Sequence, residues 1–474
     1  MPNHNKKIDI LLVQPPHKQD KNLPYFAKEI PISLAYLAAY LERQNIQTEI
    51  LDMNVCAESW VSLKKMLNDF SPQFVGISAF TIDIVRASQI AKYAKNIKKD
   101  IITIIGGIHA SALPKNTLEE FGDFDFLIHG QGEVPLLELI NRLKLNHGVD
   151  KIKGLAYRKD DCVKVNPPQD RYIPLDELPF PAREKLDLVK YAPHLQKHMK
   201  LPNTGIFSSI GCCFQCLYCS IHTVHPGLDM RKPENVAAEI EECMYKFGIS
   251  DFRFFDDCFT LNRSRLVKLC NLIIERKLKI FWNCQSRVDK VDLELLRLMK
   301  KAGCHQITYG VEVGTEKALK IINKDTTLNH AIEAINLTKK AGIESGASFM
   351  FGIPGENEAD MRQTIKFAKR LSPDIATFYI LKAYPGTPVF EKEIKKQTVI
   401  QINWEDYLIH GPPVFDIGMS SERLINLLKQ AYHGFYFRPG YFWQRLKKIF
   451  RSPKREVLLA FHGAKMVAAY FRRR

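Results

Sequence analysis

No apolar run in this chain is long enough to cross a bilayer as a helix, so the sequence predicts no membrane span. The opening residues MPNHNKKID have neither the apolar centre nor the cleavage site of a secretory leader, and a cytoplasmic protein is expected. Low-complexity tracts and internal repeats are missing too, which excludes solenoid and fibrous architectures. The cysteines number eleven, an odd count without a secretory start, which speaks against a disulfide framework. Acid is scarce at one end: from Arg438 to Arg474 there are eleven Lys or Arg against the single Glu456.

What is there is ordinary globular material. The 474 residues are 46% hydrophobic and 25% charged, enough for two to four domains with large cores. The net charge of +16 resides mostly in the tail. There, Val457, Phe461, Ala464, Ala468 and Phe471 fall on one helical face bracketed by basic residues. Such a helix suits an anionic membrane surface, giving an expected peripheral membrane contact, or docking on the body of the protein with a solvated basic end. A nucleic-acid partner is not expected, because aromatic residues on a basic helix are no dedicated recognition motif.

The sharpest feature is GCCFQCLYC, in which Cys212, Cys216 and Cys219 stand at C-x₃-C-x₂-C with Tyr218 before the last. Three soft thiolates on one short loop can hold three irons of a [4Fe–4S] cube and leave the fourth open. A zinc site completed by His222, three residues past Cys219, is the alternative, although its intervals depart from the usual paired spacing. Cys56, Cys162, Cys243, Cys258, Cys270, Cys284 and Cys304 are scattered singly and read as small hydrophobes.

The first 150 residues alternate apolar runs with helical patterns, the signature of a parallel sheet covered by helices. IDILLVQ, TEILDM, FVGISAF and ITIIGG read as strands; SLAYLAAYLERQ, with a serine cap, and VRASQIAKYAKNIK read as helices. DFLIHGQGE closes another strand and Pro135 opens a helix. Ligands in such sheets sit beyond the strand carboxyl ends, which here carry Pro15, Pro16, Asp52, Ser78, Gly106, Gly107, His109, Gly130, Gly132 and Glu133. Residues 151–200 hold a short hairpin, GLAYRKDD, and a proline-rich connector. From Thr204 six strand–helix pairs follow, beginning with FSSIG and ending with ATFYILKAYPGTP, which fits a partial barrel.

Taken together, the cysteine loop and these strand ends resemble the radical S-adenosylmethionine (SAM) enzymes that carry an N-terminal cobalamin-binding domain. The PP, ILD, GGIHAS and GQGE segments resemble that domain in their order and spacing; a domain of this fold binding a nucleotide or nothing is the alternative. The fold expected is α/β: a Rossmann-like cobalamin-binding domain (1–150), a linker (151–200), a partial (β/α)6 radical SAM barrel (201–420) and a C-terminal basic, aromatic helical extension (421–474). Cofactors implied are a [4Fe–4S] cluster on Cys212, Cys216 and Cys219, SAM, and cobalamin on the ten strand-end residues above. For SAM, the resemblance implies contacts from Tyr218, from Asp256 and Asp257 to the methionine amino group, from Gln285, and from Arg287 to the carboxylate. Glu312, in GVEVG where relatives read G-x-E-S-G, is implied at the ribose or amino group, and Gly352, Ile353 and Gly355 at the adenine.

Two departures stand out. Cys213 takes a place often held by Pro and is not counted as a ligand. QPPHKQD lacks the Asp-x-His-x-x-Gly loop that puts a histidine on cobalt in many cobalamin domains, so His17 and His109 are read as hydrogen-bonding loop histidines. The tail further resembles the branch of the oxygen-independent magnesium-protoporphyrin ester cyclase and the hopanoid-associated radical SAM proteins, which implies a hydrophobic small-molecule or lipid substrate. An electron donor such as flavodoxin or ferredoxin is implied as partner. The expected activity is radical methylation of an unactivated carbon; radical cyclisation or oxidation, and a non-catalytic cobalamin or metal carrier, are the alternatives.

Overall fold

The computed structural model describes residues 7–17, 28–170, 172–396, 403–408, 411–449 and 456–457. Strands β1 (Ile10–Gln14), β2 (Thr48–Asp52), β3 (Phe74–Ser78), β4 (Ile102–Gly106) and β5 (Phe126–Ile128) pair in parallel in the order β2-β1-β3-β4-β5. Every β1 side chain is buried, because helices cover both faces of the sheet. The hairpin of β6 (Leu155–Lys159) and β7 (Cys162–Val165) extends this sheet as an antiparallel edge. The topological switch lies between β1 and β3, where the chain reverses direction across the sheet.

Three local expectations differ. The first helix runs Ile32–Arg43 with Pro31 at its N-cap and no side-chain cap, since proline pre-sets the entry and the serine falls inside the helix. The helix expected from Pro135 begins at Glu133, with the proline in the first turn where its missing N–H costs nothing. A further helix, Ser59–Phe70, is not among those expected; it buries Leu63 and Leu67 and packs Met66 and Phe70 against the same core.

The second half is an open six-stranded parallel sheet. Here β8 (Asn203–Ile206) leads, and after the two-residue strands β9 (Ser209–Ile210) and β10 (Asp229–Met230) come β11 (Asp251–Phe254), β12 (Phe281–Ser286), β13 (Cys304–Glu312), β14 (Glu344–Phe351) and β15 (Ile375–Ile380). The order β15-β14-β13-β12-β11-β8 is six consecutive β/α units. Its first strand lies ahead of the FSSIG segment: β8 pairs with β11 up to Ile206, and Ser209–Ile210 turns away to pair antiparallel with β10. The cause is Asp256, whose carboxylate accepts hydrogen bonds from Ser208 N (2.8 Å) and Ser208 Oγ (2.6 Å) and so bends the chain out of the sheet.

Helices Ser421–Tyr436 and Pro439–Ile449 close the described C-terminal region. Of the tail stripe, only Val457 is described; Phe461, Ala464, Ala468 and Phe471 lie outside the described residues.

The two halves share one apolar core. Leu11, Val13, Ile77 and Ala110 of the first half belong to the same buried cluster as Val313, Met350, Ile353, Leu381, Phe390, Trp404 and Phe415 of the second. Polar ties reinforce it: Glu239, fully buried, accepts from Arg183 (2.6 Å) and Arg231, and Tyr36 of the first helix donates to the same carboxylate.

Candidate functional site

The cysteine loop follows β9. Gly211 at its mouth has φ +91° and a Cβ there would lie 1.9 Å from Gly227 O, so only glycine fits. The Gly211 amide donates to Asp257 (3.0 Å), and the loop is tied to its surroundings by Leu217 N→Ile322 O (2.9 Å) and Val389 N→Leu217 O (3.0 Å).

Cys212, Cys216 and Cys219 are all half-buried on this one loop. Burial is the largest influence on Cys212 and Cys219, and it raises both, Cys219 to about 11; the neighbouring Asp257 and the other loop cysteines add to this. The amides of Phe214 and Ile221 point at the Cys212 and Cys219 sulfurs and favour the thiolates, which a cationic iron centre would stabilise further. This donor set, three soft sulfurs with amides aimed at two of them, fits an iron–sulfur cube. His222, the fourth ligand of the zinc alternative, has its Nε2 2.9 Å from Phe214 O. Among the described residues, no three His, Cys, Asp or Glu side chains converge on one ion.

The ends of β11 to β14 surround this loop. Asp256 is buried, accepts from Ser208 and Ser209, and shapes the loop from beneath. Asp257 has an exposed side chain, and desolvation by the protein around it, with the Asp256 charge adding to it, pushes its carboxyl up to about 6 against the Gly211 amide, which lowers it. Gln285 has an exposed side chain, while its carbonyl accepts from Phe259 N (3.0 Å). Arg287 is buried, donates to Asp289 (2.9 Å) and Asp325 O (2.9 Å), and lays its guanidinium 3.6 Å from the centre of the Phe214 ring. Its Nε and Nη2 donors are thus taken by Asp289 and Asp325 O, while the face of the guanidinium lies on Phe214 of the cysteine loop.

Glu312 ends β13 beyond a register shift, in the left-handed region at φ +72°. It accepts from Lys324 Nζ (3.0 Å), and the same ammonium reaches Tyr218 OH (3.1 Å). Lys324 carries no motif signal and the sequence reading missed it. After β14, Gly352 (φ +80°) and Gly355 (φ +88°) make the turns, and Ile353 is buried in the shared core.

On the first sheet the strand ends also gather. Asn54 Nδ2 bridges Asp52 Oδ1 (2.9 Å) and Pro15 O (3.0 Å), with Pro16 beside them, and burial raises the Asp52 carboxyl. His17 Nδ1 lies 2.8 Å from buried Asp83 and His109 Nδ1 3.4 Å from Thr81 Oγ1, so both make loop hydrogen bonds. Burial lowers His109 to about 4, and its ring meets Trp404 edge-on at 4.7 Å.

Gly107 has φ +98°, and a Cβ there would come within 2.7 Å of Ala79 O and 3.1 Å of Ser78 Oγ; Gly106 O accepts from the Ala79 amide (3.1 Å). The Gly130 amide donates to Ser111 Oγ (3.0 Å), and Gly132 leads into the helix headed by Glu133, which burial pushes up to about 7. Gln14 Nε2 and His109 Nε2, at the ends of β1 and beyond β4, are buried without a protein partner. Glycine-lined turns with orphaned polar atoms along one sheet edge fit a large, amide-bearing ligand such as cobalamin.

The two edges meet. Helix Ile108–Ala112, after β4, packs on Ile221–Val224, just past Cys219, and Gly386 sits between them: a Cβ there would lie 2.6 Å from Thr223 Oγ1 and 3.1 Å from Ala112 Cβ. Tyr172 of the connector spans the same gap, over Gly130 and with its ring 5.1 Å from His225. Trp404, Tyr172 and Lys324 announce themselves in no local pattern.

Comparison with known proteins agrees with this division. Residues 206–368 match the model of the radical SAM superfamily and residues 25–140 that of the B12 binding domain. An uncharacterized methyltransferase of Pyrococcus horikoshii is 33% identical over 92% of this chain and 94% of its own length. The anaerobic magnesium-protoporphyrin IX monomethyl ester cyclase of Rubrivivax gelatinosus is 27% identical over 87% of this chain and 74% of its own. The fold is shared with the radical SAM methyltransferase TsrM of Kitasatospora setae, solved with cobalamin and a [4Fe–4S] cluster: TM-score 0.69 at 20% identity, covering 84% of this chain and 76% of that one.

Proposed function

This chain belongs to the radical SAM family that carries a B12 binding domain, and from that membership we propose that it is a cobalamin-dependent radical methyltransferase acting on an unactivated carbon of a hydrophobic substrate. The observation that carries the reading is the meeting of the two strand-end edges at Ala112, Thr223 and Gly386, which leaves the loop after β4 one side chain from the cluster loop. When bound, the cluster, SAM and cobalamin supply reductive cleavage of SAM, hydrogen abstraction and a transferable methyl group.

The chain's own residues bind and orient. Cys212, Cys216 and Cys219 hold the cluster. Asp257 takes the methionine ammonium and Gln285 a neighbouring polar group, because both side chains are open at the strand ends. Asp256 and Arg287 act behind them, shaping the loop through Ser208, Ser209 and Phe214. Glu312 faces the ribose, while Gly352 and Gly355 let the backbone approach the adenine. Gly107, Ser78, Gly130 and Glu133 cradle cobalamin, and Trp404 closes that edge from water.

Anaerobic reconstitution with iron, sulfide, cobalamin, SAM, reductant and host extract tests this. Both 5′-deoxyadenosine and S-adenosylhomocysteine are expected, and both should vanish in Cys216→Ala. Deoxyadenosine alone would favour cyclase-type chemistry, and neither product would refute the assignment. A tetrapyrrole is the substrate class to try first, since one relative acts on a magnesium-protoporphyrin ester.

The proposed membrane contact is supported by the helix Pro439–Ile449. Its Arg445 and Lys448 turn inward to Glu344 (3.1 and 3.0 Å), and Gln444 to Asp374 (2.7 Å). Phe442 and Trp443 are left 60% and 64% exposed, with Leu446 beside them. Charges inward and aromatics outward invert an ordinary surface helix, and with the basic sequence around it this face suits an anionic lipid surface. Glu344 begins β14, so the face lies at the end of the barrel opposite the cluster loop. Sedimentation with phosphatidylglycerol vesicles, lost in Phe442→Ser/Trp443→Ser, is the expected result.

A further inference from the structure

Four consecutive residues after the helix Glu316–Ile321 grip the cysteine loop. Ile322 O accepts from Leu217 N (2.9 Å), Asn323 Nδ2 donates to Gln215 O (2.7 Å), and Lys324 Nζ donates to Tyr218 OH (3.1 Å). Asp325 O accepts from Arg287 Nη2 (2.9 Å), the arginine stacked on Phe214. Every residue between Cys213 and Cys219 other than the ligand Cys216 is therefore met by Ile322–Asp325, directly or through one side chain.

Lys324 is the member of this segment with an electrostatic consequence. Only 6% of it is exposed, and its charge is balanced by Glu312, equally buried, at 3.0 Å. The barrel makes room for the pair: a Cβ on Gly310 would lie 2.3 Å from Glu312 Oε1 and 2.7 Å from Lys324 Nζ. Glu312 also holds a positive φ that costs a side-chain-bearing residue energy and persists only where its surroundings enforce it. The glycine, the strained glutamate and the buried ammonium are three separate features that all serve one contact with Tyr218.

We infer that Lys324 is a positioning residue of the SAM site: by binding Tyr218 OH and Glu312 Oε1 together, it makes the cluster loop and the end of β13 move as one body. Glu312 Oε2 accepts from Ser348 Oγ (3.5 Å), and Tyr218 is hydrogen-bonded to the same carboxylate, so the three side chains form one cluster around Lys324. Loss of the ammonium leaves the Glu312 carboxylate buried without a counter-charge and removes the cation that holds it and Tyr218 OH in one arrangement, which loosens the seat of Tyr218 at the end of β13. The inference rests on the radical SAM reading and adds to it a residue that no strand-end motif contains.

The test uses the full-length reconstituted protein and two readouts besides turnover: the electron paramagnetic resonance spectrum of the reduced cluster with and without SAM, and SAM affinity by equilibrium dialysis. Lys324→Met is expected to keep its iron and sulfide, to bind SAM about 10–100-fold more weakly, and to lose the SAM-induced spectral change. Lys324→Arg, which retains a cation and donors, should recover most of both. Parental affinity and spectrum in Lys324→Met would overturn the inference. Should Lys324→Met not fold, Tyr218→Phe, which keeps the ring and removes the acceptor, decides by the same two readouts, an unchanged spectrum and affinity counting against it. A parental protein with a cluster but no response to SAM would overturn the functional reading itself, and this inference with it.

Discussion

Single side chains at the strand ends carry opposite demands. Gly211 must reach φ +91° and pass Gly227 O, so Gly211→Ala should be among the most damaging one-carbon changes in the chain. Iron content after reconstitution should fall severalfold, together with a lower melting temperature, and a variant with full iron content would contradict the account. Glu133 makes a demand on pH. Burial raises it from an ordinary carboxyl value to about 7, so the folded state holds a proton that the unfolded state releases. Between these values the native state binds more protons, and stability falls as pH rises, by up to about 3 kcal/mol in all. Glu133→Gln should abolish that slope. Denaturant midpoints of parent and variant at about pH 5 and about pH 8 would show it, the variant gaining at the higher pH.

Among elements, the segment Asn403–Leu408 has the widest reach for its length. Trp404 donates to Glu120 (2.9 and 3.0 Å), meets His109 edge-on, and lies in the shared core, while Tyr407 O accepts from Tyr384 OH (2.8 Å). It joins the helix after β4 to the end of the barrel. Trp404→Ala should cost about 3–5 kcal/mol and expose the orphaned His109 Nε2 to water. Cobalamin affinity, followed by absorbance, should drop with it; unchanged affinity would place the cobalamin edge elsewhere. The first barrel strand makes a related point about elements. FSSIG has the apolar pattern of a strand, yet Asp256, nearly fifty residues later, draws Ser208 and Ser209 out of the sheet. Periodicity reports what a segment can do, and a distant carboxylate decided what it does.

For the molecule as a whole, the shared core and the Arg183–Glu239–Arg231–Tyr36 network make the two sheets one cooperative body. Glu239→Ala would leave two buried guanidinium groups without a counter-charge, at about 3–5 kcal/mol. Calorimetry should then show one unfolding transition shifted as a unit, because Tyr36 of the first half feels the same loss. Two transitions, with only the second displaced, would refute a common core.

Sequence alone determined the cysteine loop, the β/α alternation of both halves and the order of the strand ends, because each rests on spacing within a few residues: thiol intervals, hydrophobic period and turn-forming glycines. The tertiary structure alone decided that Asp256 and Arg287 turn toward the cluster loop, that the edges meet at Gly386, and that Lys324 joins Tyr218 to Glu312. Those contacts link residues from a dozen to more than two hundred positions apart. A buried lysine's partners are set by the packing of helices and strands around it, and nothing in its immediate neighbours encodes them.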